Sequence, residues 1–336
     1  MQMPWERRIR KLAFSAIAIV GLAISGAAGL AADFQLDKPL EMVIGNAPGG
    51  AMDRLARLTD AYMKSENLIP SDSIVLPKPG GGHAVALAYI KSHAKDPSRL
   101  MAVNTLLISN NLLGRSALKY TDFTPISILY EEPMMFAVRY DSPIKDGADL
   151  AQRLKADPSS VSFSVSSGLG TANHMAAVLL AKAVGADIKA LKAVSFESGS
   201  EGITSVLGGH VDVVVTPPGS MMQFIETKQL RFIAVAGEHR ASAPLADVPT
   251  WKELGYDVSV SAWRGIIGPP GLTAAEIDFW QKAFEGFLKS EEYKKSAQEE
   301  IFEARYLNAA DSAKFLADMD AQFRQYLTLV GAGKSN

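Results

Sequence analysis

Cysteine is absent from the chain. No disulfide can support the fold, so packing alone must hold it. A lipid-anchored bacterial receptor needs a cysteine at its cleavage site, and that mode of attachment is excluded too. An excess of one charge sign is also missing. The 336 residues carry a formal net charge of -2, which leaves no basic surplus to point to a nucleic-acid partner. Histidine is sparse: His83, His93, His174, His210 and His239 are scattered, without an H-x-x-x-H or H-E-x-x-H pair, so neither a metal site nor any other cofactor is expected. Beyond residue 30 no stretch approaches the ~20 apolar residues of a membrane-spanning helix.

The motifs of catalysis are missing as well. There is no G-x-x-x-x-G-K-[ST] phosphate loop, and Gly168-Leu169-Gly170 is followed by Asn173 where a dinucleotide fingerprint has its third glycine. No G-x-S-x-G elbow occurs. Ser142-Pro143-Ile144-Lys145 matches S-x-x-K, but the companion K-T-G and S-D-N motifs are absent. An enzyme needs a convergent acid/base pair, and none is visible.

What is present begins with an export signal. Arg7, Arg8, Arg10 and Lys11 form a basic n-region, residues 12–30 are apolar or small, and Gly29-Leu30-Ala31-Ala32 offers a cleavage site. An uncleaved anchor is the other reading, but Ser15, Gly21, Ser25, Gly26 and Gly29 dilute the apolar run. Residues 1–31 are therefore expected to be removed, leaving a soluble and more acidic periplasmic chain.

The remainder alternates strand and helix, which predicts an α/β architecture with largely parallel pairing. One unit recurs: an apolar strand, a glycine-rich loop, then residues at helical spacing. It is seen at 40–44, Asn46-Ala47-Pro48-Gly49-Gly50 and Met52/Leu55/Leu58/Tyr62. It returns at 73–76 with Pro79-Gly80-Gly81-Gly82 and a helix from 83. A third copy joins 161–165 to a helix over 174–184 through residues 166–171. A fourth joins 193–196 to 201–207 through Glu197-Ser198-Gly199-Ser200, and another strand follows over 211–215. The last third, from Thr273, reads as helical, and Phe279, Trp280, Phe284 and Phe287 are spaced to cover a core face.

A strand that turns directly into a helix leaves the first helical N–H groups unpartnered, and the helix dipole adds positive character there. Glycine lets a ligand approach the backbone closely. Such loops suit a carboxylate or phosphate, and Ser166, Ser167, Thr171, Ser198 and Ser200 add hydroxyl donors. Each loop taken singly is also an ordinary tight turn. Two lie in each half of the chain, so a cleft between two lobes is expected, because open α/β sheets bind ligands at the carboxyl ends of their strands. Asp53, in a first helical turn, pairs with the dipole or accepts from a ligand amine or a water. His174 reads as a packing or helix-terminus residue, and Asp212 as a turn residue.

The motifs in their order resemble the extracytoplasmic receptors of tripartite tricarboxylate transporters, the TctC/Bug-type solute-binding proteins. The matching stretches run from Asn46 through Asp53, from Lys78 through Gly82, and from Ser167 through His174. Leu207-Gly208-Gly209-His210-Val211-Asp212, the stretch from Asp247 through Gly255, Trp263-Arg264-Gly265 and Gly268-Pro269 complete the set. The resemblance implies a type 2 periplasmic-binding fold: two lobes, 32–134 with 259–336 and 135–258, joined by crossovers near 135–138 and 256–260. It implies a non-enzymatic, monomeric receptor that passes a small carboxylate to membrane transporter subunits. Implied contacts are Pro48, Gly49, Gly50 and Asp53; Gly81 and Gly82; Thr105; Ser166, Ser167, Gly168, Gly170 and Thr171; and Ser198 and Gly199. Arg264 stands where many relatives carry an aromatic residue. It either pairs a second ligand carboxylate bidentately or forms a structural ion pair. One departure, Asp96-Pro97-Ser98-Arg99, replaces the acidic-glycine turn expected before Asn104-Thr105. A secreted enzyme using the loops as an oxyanion or phosphate site, and a periplasmic sensor, are the competing functions.

Overall fold

A computed structural model describes residues 34–49, 51–166, 170–196 and 198–331. The signal segment lies outside the described residues, as do Gly50, Ser167 and Gly168 of the expected site. Among the described residues, ten strands form one continuous sheet. They are β1 (Glu41–Ile44), β2 (Ile74–Pro77), β3 (Arg99–Val103), β4 (Thr124–Arg139), β5 (Ser162–Ser166), β6 (Lys192–Phe196), β7 (Val213–Thr216), β8 (Leu230–Ala236), β9 (Ser261–Gly268) and β10 (Glu303–Leu307). The order is β2-β1-β3-β9-β4-β7-β5-β6, with β8 and β10 also on β4.

Strand β4 belongs to both halves of this sheet. From Thr124 to Pro133 it pairs with β9, and Glu131 to Ile128 pairs with β10. From Met134 onward its partners are β8 and, from Met135, β7. Each half has one parallel trio, β2-β1-β3 and β6-β5-β7. Every pairing made by β4 and β9 is antiparallel. The largely parallel sheet expected from sequence is therefore mixed. The strand–loop–helix repeats gave the two parallel trios, whereas β4 and β9 carry the chain between the halves. The inner strands are apolar on both faces, as fully covered strands must be: Val213–Thr216 is buried at each position.

The first six helices are α1 (Ala51–Ser65), α2 (Ala84–Ser92), α3 (Leu106–Leu112), α4 (Gly147–Ala156), α5 (Ala172–Ala183) and α6 (Gly199–Leu207). Of these, α1, α2, α5 and α6 follow the four expected loops and start within two residues of the expected points; α3 and α4 follow none of the four. The short α7 (Met222–Glu226) precedes β8; α8 (Ala274–Lys289), α9 (Glu291–Glu300) and α10 (Ala309–Leu329) complete the chain. Thr273 and Glu276 form a reciprocal capping box that starts α8. Trp280, Phe284 and Phe287 of that helix are fully buried, as their spacing predicts. Trp280 donates to the Pro97 carbonyl at 3.0 Å. It thereby braces the unexpected turn before β3, which Asp96 closes by accepting from the Ser98 main chain at 3.0 Å. One apolar cluster runs through both halves, from Val43 and Met101 through Phe136, Phe163 and Trp251 to Phe323 and Tyr326 of α10. Among the described residues, no helix is long and apolar enough to cross a membrane.

Candidate functional site

The registers set the carboxyl ends of each trio side by side. Ile44 pairs with Pro77 and with Ala102, so the loops after β1, β2 and β3 open at one edge. Ser166 pairs with Phe196 and Met135 with Thr216, which brings the loops after β5, β6 and β7 to the corresponding edge of the other half. The β4 segment between Tyr130, opposite Arg264, and Met135, opposite Thr216, connects the two edges.

In the first loop Pro48 and Gly49 are exposed above a buried Asp53. The Asp53 Oδ2 accepts from the Gly49 main chain at 2.9 Å and from Arg57 Nε at 3.0 Å, and its Oδ1 is buried without a partner. The Arg57 hydrogen bond first, then the Gly49 N–H, hold the carboxyl below its ordinary range. Asp53 thus shapes the loop from beneath, and one oxygen is left unpaired. Arg54 also engages the loop, donating to the Gly49 carbonyl at 3.3 Å while forking onto Glu300 at 3.1 and 2.8 Å.

The second loop is bent by consecutive left-handed glycines, Gly81 at φ 55 and Gly82 at φ 59, both exposed. A side chain at Gly82 would meet the Asn110 amide at 3.2 Å, and that amide donates to the Gly82 carbonyl. His83 follows at φ 80, 2% exposed. Its Nε2 lies 2.9 Å from Asn46 Oδ1, which ties the second loop to the first. Its ring fills the space beside Gly45, where an added Cβ would approach Cδ2 to 2.5 Å. Burial, then the Arg264 charge, lowers the His83 pKa to about 4, so the ring is neutral. Thr105 is buried at the start of α3.

Arg264 is already engaged: its Nη2 lies 2.7 Å from Glu132 Oε2, with side chains 12% and 6% exposed. Its Nη1 donates to the Trp263 carbonyl at 3.0 Å, while Nε is buried without a partner. Burial pushes the Glu132 carboxyl up against the pull of Arg264. The structure therefore has the ion pair, one of the two arrangements open to Arg264.

On the other half Thr171 is buried at the start of α5, and the preceding Gly170 adopts φ 83. A Cβ at Gly170 would come within 2.6 Å of Leu113 Cδ1 and 3.4 Å of Ser109 Cβ. The third loop thus abuts α3, the helix that Thr105 precedes. Ser198 is exposed and caps α6 by accepting from Glu201 N at 3.3 Å. A Cβ at Gly199 would lie 3.5 Å from Thr216 Oγ1. Ser166 ends β5.

The structure thus joins Gly49 with Asp53, Gly82 with Asn110 and His83, and Gly170 with α3. Sequence reasoning missed Asn110 and Glu132, and took Asn46 only as part of the first loop. His83 had one signal, its position directly after three glycines. Each trio thus carries loops with main-chain and hydroxyl groups at the carboxyl ends of its strands, where helices begin, and such positions suit an anion held by dipoles.

Comparison with known proteins gives one consistent answer. A family model described as tripartite tricarboxylate transporter family receptor matches residues 61–331. A UPF0065 protein of Cupriavidus necator is 28% identical over 331 residues, 95% of this chain and 98% of the relative. An R. palustris protein solved with adipate superposes with a TM-score of 0.75 at 20% identity, covering 87% of this chain and 97% of its own. MatC from Rhodopseudomonas palustris, solved with bound malate, gives 0.70 at 19% identity, covering 86% and 98%. At such identities the solved structures establish the fold, the two-lobed periplasmic-binding architecture.

Proposed function

The chain belongs to the tripartite tricarboxylate transporter receptor family, a family of substrate-binding receptors rather than enzymes, and from that premise we propose that it captures a small di- or tricarboxylate, or a related organic acid, and delivers it to membrane transporter subunits. The observation that supports it is the presence of strand-end loops at the carboxyl ends of both parallel trios, one trio on each side of the Tyr130–Met135 segment of β4. The ligand contacts are Pro48, Gly49, Gly50, Asp53, Gly81, Gly82 and Thr105 from lobe 1. Ser166, Ser167, Gly168, Gly170, Thr171, Ser198 and Gly199 come from lobe 2. Arg264 takes part at the floor, beside Glu132. Lobe 1 comprises 32–134 and 259–336 and lobe 2 comprises 135–258, with the ligand bridging them. The mature receptor is an exported, unanchored periplasmic monomer beginning at Ala32 or Asp33.

Binding without a dedicated free arginine is energetically adequate. Micromolar affinity needs about -8 kcal/mol, charge-assisted hydrogen bonds contribute about 1.5–3 kcal/mol each, and loops already held in shape reduce the ordering cost. Adipate and malate bound to two relatives favour this ligand class. Calorimetric titration of the mature chain with adipate, malate and citrate, together with mass spectrometry of any co-purified acid, tests the reading. Saturable binding of at least one acid is expected, and absence of heat with all three and of any co-purified acid overturns it. N-terminal sequencing of the protein recovered from its host checks export, and an intact Met1 in a membrane fraction contradicts it.

A further inference from the structure

The link between α9 and β10 carries the most crowded backbone in the fold. Helix α9 ends at Glu300, and Ile301 follows in the left-handed conformation, φ 53 and ψ 54. The Phe302 N–H then donates back to the Ala297 carbonyl at 3.2 Å. Glycine is the usual residue for this closing turn, because an L side chain collides with its own backbone at positive φ. Two branches on Cβ make isoleucine one of the poorest choices for it. A backbone in such a state persists only where its surroundings fix it.

Those surroundings belong to the other half of the molecule. Ile301 is 7% exposed and sits in an apolar cluster with Met135, Val214, Met221 and Val235. Among the described residues, all other buried members of that cluster lie between Met135 and Leu245. Phe302, the next residue, packs on the first half instead. Its ring stacks on Tyr130 of β4, with centroids 4.0 Å apart and planes inclined by 21°, and adjoins Tyr293 of α9 at 5.5 Å. Glu300, on the other flank, is held from both sides. A Cβ at Gly219, in the turn after β7, would come within 2.7 Å of the Glu300 carbonyl oxygen and 3.2 Å of its Cα. The Glu300 carboxylate meanwhile accepts two hydrogen bonds from Arg54 of α1. Three successive residues thus bind the two halves together, and the middle one does so in a conformation that its own side chain resists.

We propose that Ile301 is a sprung key between the halves. Its side chain locks the α9–β10 link into the half that holds β5 to β8, and the left-handed backbone demanded by that seat pushes against the lock. Drawn out of the cluster, the residue loses the packing that offsets its crowded backbone, and the turn relaxes. The link is a third joint, beside the crossovers near 135–138 and 256–260, and its side chain sets how readily the halves part. This holds whichever solute the protein binds.

Two measurements on the full mature chain test it, and neither needs a ligand. The chain has no cysteine, so Ala61→Cys on α1 and Lys182→Cys on α5, both exposed, take a pair of spin labels uniquely. Pulsed electron resonance then reports the separation of the halves. With Ile301 one narrow distance is expected. Ile301→Ala keeps the crowded backbone and loses the key, and should add a population at longer distance. A wild-type distribution in that variant overturns the key. The second measurement is urea unfolding. Ile301→Gly removes key and crowding together, so its midpoint should lie below wild type and above that of Ile301→Ala. An ordinary core residue gives the opposite order, because glycine buries less and frees the unfolded chain more. That opposite order overturns the spring, as does Ile301→Gly failing to fold where Ile301→Ala folds. Should Ile301→Ala be the one that fails, the expected order is met in its extreme form. Ile301→Val, which keeps the branch and shortens the key, then carries the distance measurement, and an unchanged distribution there overturns the key.

Discussion

The loops above β1–β3 and those above β5–β7 are built differently. In the first set, buried side chains of the same half brace exposed glycines from below: Asp53 under Gly49, Asn110 under Gly82, and His83 joining both loops through Asn46. In the second set, the neighbours come from elsewhere in the chain: Leu113 and Ser109 lie beside Gly170, and Tyr326 is bonded to His174 in the first turn of α5. The fourth starts at an exposed Ser198 cap beside the open edge strand β6. The first set is preorganised by its own half. In the second, Gly170 packs against residues distant in sequence, while Gly199 has only Thr216 of its own half beside it.

The largest expected effect tests how firm the braced floor is. Arg264→Met leaves Glu132 buried without its partner and should cost about 3–5 kcal/mol of stability, whereas Arg264→Met with Glu132→Leu should recover most of the loss. Urea unfolding measures both. A single-variant loss under about 1 kcal/mol would mean that the floor is less rigid than its burial implies.

A second test uses pH. His83 in the braced set and His174 beside the third loop both have pKa values lowered by burial to about 4. The ordinary value in an unfolded chain is near 6.5, so the unfolded state binds more protons between those limits. Stability must then rise with pH across that window and fall as pH drops from about 6.5 to 4. At a pH of about 5.5 the loss is roughly 1.4 kcal/mol per histidine, or nearly 3 kcal/mol for the two. His83→Asn and His174→Asn should each flatten part of the slope seen in pH-dependent urea melts. An unaltered slope in either variant removes that histidine from the account.

Smaller effects follow in the second set and at its margin. Ser198→Ala removes a helix cap and a candidate ligand hydroxyl, and should weaken carboxylate binding by about 1–2 kcal/mol with wild-type amide hydrogen exchange at Gly170. Coupled loosening of both loops would show that they form one unit. Arg57→Ala removes an exposed partner of Asp53. Almost no stability should be lost, because the Gly49 N–H still holds the carboxylate. A loss above 1 kcal/mol would make Arg57 a structural part of the first loop.

The sequence made the local units readable and left the joints hidden. Apolar runs before glycine loops located the two parallel trios, and spacing picked out Phe279, Trp280, Phe284 and Phe287 as core, of which Phe279 is only half-buried because it adjoins Trp280 at the margin of the buried face. Strand β4 was not readable as one element, because Glu131, Glu132 and Pro133 interrupt its apolar pattern where it changes partners. The Arg264–Glu132 pair joins residues far apart in the chain, and only the antiparallel register of β9 on β4 brings them together. His174 reads as a packing residue from its helix alone, and it does pack. What the helix cannot reveal is that the ring it meets belongs to Tyr326, near the far end of the chain.

Strand β4 also governs how the molecule melts. Its ladder bonds are divided between two sets of neighbours, and the apolar cluster continues across the junction. Neither half can unravel without exposing one flank of the same strand in the other. Scanning calorimetry should therefore record one endotherm whose van't Hoff and calorimetric enthalpies agree, and removal of the third of the chain beyond β8 should abolish folding rather than leave one stable half.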